Sequence, residues 1–181
     1  MNGWAMLVLA IAAVNPARVR LLLGSHSAGV RSRATLGGAL VASLVAILLA
    51  GAAHPAIDAL DVAPETFRIA SGMVVTLSGV VLVAMPLARP EALSGARKDA
   101  VVPVAYPILL WPGAVLTWMV LGVDEGVWAV AGASLGAHLV AVLFSGVPEG
   151  RRSGWLAAAR LVACVVIVLG AAMVIDGVRE V

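Results

Sequence analysis

The sequence is poor in cysteine and in charge, and each shortage excludes something. Its one cysteine, Cys164, lies inside an apolar run, so no disulfide can close within the chain and the thiol reads as packed core filling. Charged residues make up 12% of the chain, about half their share in an ordinary soluble domain. A formal charge of +2 spread over scattered basic residues offers no nucleic-acid surface. Catalytic signatures are missing too. There is no HExxH, GxSxG or GxxxxGK[ST], no clustered Cys/His metal set and no pair of carboxylates inside an apolar run. These absences point away from an enzyme, a cofactor and a bound metal.

What the sequence has in excess is apolar surface: 62% of residues are hydrophobic and the mean hydropathy is +1.06. A water-soluble fold of this size must still present a wettable exterior, so the solvent is lipid. Long apolar runs, rather than short alternating ones, choose helices over a barrel. A spanning helix needs about 20 mostly apolar residues to cross about 30 Å of hydrocarbon. The runs between charged or Gly/Pro-rich punctuation predict spans near 3–23, 34–53, 66–88, 101–121, 126–146 and 155–176. The expected fold is an all-α polytopic membrane protein of six helices. They form one transmembrane domain of two inverted three-helix repeats, about 1–98 and about 99–181. Met1 to Val14 has no basic leader segment and no clear cleavage site after it, so it is expected to remain as the first span.

Basic loops stay cytoplasmic. Arg18, Arg20, Arg31 and Arg33 follow the first span, Arg89, Arg97 and Lys98 the third, and Arg151, Arg152 and Arg160 adjoin the start of the sixth. The other face carries Asp58, Asp61, Glu65, Asp124, Glu125, Asp176 and Glu180, with only Arg68 and Arg179. The expected topology is a multi-pass inner-membrane protein with both termini outside. Trp4, Trp118 and Trp128 are then expected near the outer interface and Trp155 near the inner one.

Two of the six spans are expected to break. Asn15 is reached after about 22 Å of helix counted from Met1, short of a full crossing. Pro16 then removes a donor and frees carbonyls near residues 12 and 13, and Asn15 offers a donor and an acceptor beside them. The fourth run contains Pro103, Pro107 and Pro112, with Gly113 after the last. Non-helical backbone at such depth survives only where protein or a water-filled cavity covers it. Paired broken helices at matching places in two halves mark the central site of a transporter. The plainer alternative is a tilted or partly re-entrant helix that ends at Asn15-Pro16, and a proline kink that binds nothing. A weak internal repeat accompanies the pair: Pro16 matches Pro112, and Arg68-Ile-Ala-Ser-Gly matches Arg160-Leu-Val-Ala-Cys at nearly the same offset.

Other candidates carry two readings each. Arg68 and Arg160 stand at span entrances, where snorkelling accounts for them, or they form a symmetric pair lining a cavity. His138 is either a proton relay or a hydrogen-bonded interhelical histidine. Gly132 and Gly136 have the spacing of close helix packing. Ser71, Gly72, Thr76 and Ser78 face either a neighbouring helix or the cavity.

Asn15-Pro16, the Phe67-Arg68-Ile69-Ala70-Ser71-Gly72 opening of the third span, Pro103 to Ala114 in the fourth and Asp176-Gly177-Val178 at the end resemble, in that order, the MarC family of bacterial inner-membrane proteins. That family is similar to LysE-type exporters, so the resemblance implies a six-span inner-membrane fold and export of a small solute. The chain departs from the family where Trp111 stands in place of the first glycine of Gly-Pro-Gly. It departs again at Ala17-Arg18-Val19-Arg20 after Asn-Pro, and both changes touch the expected site. The expected function is small-solute transport, with Asn15, Pro16, Trp111, Pro112 and Gly113 at the pathway and Arg68, Arg160, Ser71 and His138 as further candidates. The alternative is a scaffold or stress-related accessory protein that transports nothing. The expected partners are the lipid bilayer and a small-molecule or ion substrate, with homo-oligomerisation left open.

Overall fold

In a computed structural model, residues 3–24, 26–84, 100–148 and 152–181 are described. Arg89, Arg97, Lys98 and Arg151 of the expected cytoplasmic loops lie outside them, as does the side chain of Pro103. The described residues form helices joined by short turns, with no strand among them: α1 (Gly3–Val14), α2 (Pro16–Leu22), α3 (Ala28–Ala59), α4 (Pro64–Ala84), a π-helical segment (Ala100–Leu109), α5 (Pro112–Glu125), α6 (Val127–Gly146) and α7 (Arg152–Glu180). Among the described residues, five stretches are by length and composition able to cross a membrane: α1 with α2, α3, α4, α6 and α7. The fourth expected span is divided between the π segment of 10 residues and α5 of 14. Neither described piece is long enough to cross alone.

Two antiparallel pairs organise the bundle. α4 lies on α7 at backbone distance, because glycines meet backbone along the seam. A Cβ on Gly72 would stand 2.7 Å from the Gly170 carbonyl oxygen, and one on Gly177 would stand 2.9 Å from that of Glu65. α3 lies on α6 through Ala39, Ala42, Ala46 and Ala50 facing Val130, Ala133, Ala137 and Ala141, all within one buried cluster. Without a hydrophobic drive between helices in lipid, such close dispersion contact is what holds them. The broken helices run beside these pairs. The expected close-packing glycines were misplaced: Gly132 is exposed with nothing near it, and Gly136 meets only the tip of Leu7.

Leu36, Leu40, Leu44 and Leu48 on α3, and Leu135, Leu139 and Leu143 on α6, are exposed in the rows that bilayer contact requires. Trp4 and Trp128 are likewise exposed near the ends of their helices. Two expectations fail. Trp118 is fully buried, because its ring packs beside His138 rather than at an interface. Cys164 is exposed on α7 rather than packed in the core.

Candidate functional site

The first break follows from Pro16. Lacking an N–H, it cannot continue the ladder of α1, and the chain turns at Asn15 in the left-handed region, φ 48°, which asparagine tolerates better than most residues. Asn15 then serves two helices. Its Oδ1 accepts the Arg18 N–H at 3.1 Å and caps α2, while its Nδ2 donates to the Ala159 carbonyl of α7 at 3.1 Å. The residue is buried, so both halves of its amide are used inside the protein.

The second break lies at Leu110-Trp111, where the π segment ends and Pro112 opens α5. Proline at a first helical position has no donor to strand, and its ring is exposed at no polar cost. Trp111 turns inward and is buried among Ala12, Ala13, Val75, Ala114 and Val166. Gly113 permits this placement, since a Cβ there would lie 2.1 Å from the Trp111 ring.

The two breaks cap each other. Pro16 disrupts the helical hydrogen bonding that would use the carbonyls of residues 12 and 13, and the indole Nε1 of Trp111 donates to the Ala13 carbonyl at 2.7 Å. The break at Leu110-Trp111 ends the ladder of the π segment, and the Arg18 guanidinium donates to its Ile108 carbonyl at 3.1 Å. Each broken helix thus supplies the donor that the other lacks. Buried carbonyls at helix C-termini carry the negative end of the macrodipole, which suits both an indole N–H and a guanidinium.

Away from this junction, at the end of the bundle formed by the start of α4 and the ends of α5 and α7, lies a cavity of about 430 Å³. Asp124, Glu125, Asp176 and Glu180 edge it, and Leu9, Leu121 and Met173 line its apolar part. Arg68 binds Asp124 at 2.7 Å and also pairs with Glu180, tying α4 to α5 and α7. The opposite end is basic. Arg20 and Arg31, expected in a loop, are buried helical residues instead. Arg20 donates to the Val147 carbonyl at 3.0 Å and lies over the Trp155 ring. Arg31 donates to the carbonyls of Ser145 at 2.9 Å, Val147 at 3.2 Å and His26. They cap the C-terminal end of α6, where cations are favoured.

The structure therefore brings Asn15, Pro16, Trp111 and Gly113 together, with the Pro112 ring turned outward. It does not join Arg68 to Arg160, which is exposed on α7. Ser71 is buried on α4, and its hydroxyl meets no partner among the described residues. His138 Nδ1 is 2.9 Å from Ser43 Oγ. Arg18, expected as a cytoplasmic flank of the first span, was not among the pathway candidates, yet it reaches the second break. The signal for it was an arginine three residues after the Asn-Pro break, on a helix that Pro16 restarts rather than ends.

A family model described as MarC family integral membrane protein matches residues 6–181. No curated protein and no solved structure gives a significant match.

Proposed function

This chain belongs to the MarC family of integral membrane proteins, and on that premise we propose that it is a small-solute transporter of the inner membrane, an exporter by type. The transport path passes the junction of the two broken helices by alternating access. The observation that carries the reading is the mutual capping of the breaks through Trp111 to Ala13 and Arg18 to Ile108.

The six-span inverted repeat is part of the proposal. Its support is the repeated order of one broken helix followed by two unbroken ones, and the pairing of α3 with α6 and of α4 with α7. The acidic end faces outward and the end bearing Arg20 and Arg31 faces the cytoplasm, following the basic-residue rule. In this reading the junction is closed beneath an outward mouth. Trp111 is the plug, and Asn15 meets the solute or a coupling ion when the plug moves. Release of the indole exposes the Ala13 carbonyl, and release of Arg18 exposes that of Ile108. Half-helix ends in transporters present backbone groups to cargo in this way. The reading assigns the chain no catalytic step.

The competing reading takes the caps as permanent. The buried Asn15 amide, bonded through both its oxygen and its nitrogen, favours it, and the chain is then a membrane scaffold. Comparison of exported metabolites with and without the protein separates the two. Transport predicts at least one solute whose efflux depends on the chain and is lost in the Asn15→Leu, Pro112→Ala double variant. Identical export profiles from cells with and without the wild-type chain overturn it.

A further inference from the structure

The cavity at the acidic end of the bundle lies away from the broken-helix junction. Its volume of about 430 Å³ falls among those that hold small organic ligands, about 300–1,000 Å³. Its lining changes character with depth. Asp124, Asp176 and Glu180 are exposed at the mouth. Leu121 stands one helical turn inside Asp124 on α5, and Met173 one turn inside Asp176 on α7. With Leu9 and Val120 they form an apolar floor, and all four are buried.

The charges at the mouth do not balance. Among the described residues Arg68 is the one cation in that lining, and it is already shared between Asp124 and Glu180. Asp176 makes no ion pair among the described residues. With Glu125, four carboxylates stand against one guanidinium, a formal charge of −3. A cleft of one sign concentrates ions of the other. These carboxylates are spread around the rim, since no three His, Cys, Asp or Glu side chains among the described residues could hold a metal ion. What suits a spread negative rim above an apolar floor is an organic cation, with its charge at the mouth and its hydrocarbon below. A lipid headgroup would enter ammonium first and bring its phosphate to the acidic rim, which is the reverse order. An amino acid would bring its own carboxylate there.

We propose that this cavity binds a primary alkylammonium ion, its ammonium group beside Asp176 and its chain against Leu9, Leu121 and Met173. The site rests on the cavity and not on the transport reading. Binding there needs no passage through the junction, so failure of either leaves the other standing.

Methyl NMR tests this on the protein in phosphatidylcholine nanodiscs, with the methionines labelled at their methyl carbons and the Met173 signal assigned through Met173→Leu. Titration with butylammonium should move the Met173 signal to saturation, while butanol and butyrate at the same concentrations leave it in place. Each methylene added between propylammonium and pentylammonium should tighten binding about fourfold, as burial of one CH₂ does. Asp176→Asn should weaken butylammonium binding about tenfold. Asp58→Asn, on α3 and outside the lining, should leave it unchanged. No saturable shift, an equal response to butanol, or equal weakening by the two variants overturns the site. The same titration in phosphatidylglycerol nanodiscs should agree. A shift seen only there identifies the choline headgroup as the occupant and overturns the assignment to a free amine. The wild-type titrations decide the matter even if Asp176→Asn does not fold.

Discussion

Replacing Trp111 by its benzothiophene analogue keeps the ring and deletes only the N–H, which isolates one bond of the junction. That bond is 2.7 Å long and serves the buried Ala13 carbonyl. The ladder of α1 stops at the turn of Asn15, so the helix itself brings the Ala13 carbonyl no donor. Stranding a buried acceptor costs about 1–3 kcal/mol. For a chain of this length each kcal/mol lowers the melting temperature by about 2–4 °C, so thermal unfolding in detergent should fall by about 2–12 °C. Trp111→Phe deletes the same donor and also leaves a hole, at about 24 cal/mol per Å³ of unfilled cavity, so it should be the less stable of the two. An analogue that melts with the wild-type protein would show that the indole N–H caps nothing, and the mutual capping of the two breaks would be wrong.

Four further outcomes follow from the geometry. Gly170→Ala places a Cβ about where the Thr76 hydroxyl and Gly72 carbonyl already stand, at 2.5 and 2.9 Å, and should destabilise by about 1–3 kcal/mol in the same melting assay. Gly132→Ala, with nothing within 4 Å, should change stability by less than about 0.5 kcal/mol. Arg31→Met leaves the Ser145 carbonyl without its charged donor and removes the 3.2 Å bond to Val147, and should cost about 3 kcal/mol, since bonds from charged donors are worth about 1.5–3 kcal/mol each. Arg68→Gln breaks two partly exposed ion pairs and should cost less than about 1 kcal/mol, but it should abolish most of the salt dependence of the melting temperature.

The sequence showed most of the helices and both breaks, because each rests on a local property. Apolar run length set the spans, and proline's missing donor marked the interruptions beside Asn15 and Trp111. The acidic and basic ends were also legible, since charge segregates by topology. Contacts between distant elements were not. Nothing local says that the Trp111 indole reaches Ala13, or that Arg18 turns inward to Ile108 instead of flanking the membrane. Trp118 resembled an interface anchor because composition cannot tell an inward face of α5 from an outward one. The glycine seam was sought at Gly132 and Gly136, four apart on one helix. It lies at Gly72 and Gly79 on α4 and at Gly170 and Gly177 on α7, a seven-residue spacing on each of two helices whose pairing had to be known first. Arg20 and Arg31 were read as loop charges, whereas α2 and α3 extend far enough to bury them under the end of α6.

The central claim is that the junction of the broken helices is a gate. It is tested most directly by placing a cysteine at Ala114, fully buried beside Trp111, in a Cys164→Ser background, and measuring its reaction with a membrane-impermeant thiol reagent applied to each face of sealed vesicles. A gate that opens alternately predicts labelling from both faces, slow in the wild-type junction and faster when the Trp111 N–H is removed. A thiol that stays unreactive from both faces, with and without the Trp111 cap, would contradict the account and leave the mutual capping as static packing.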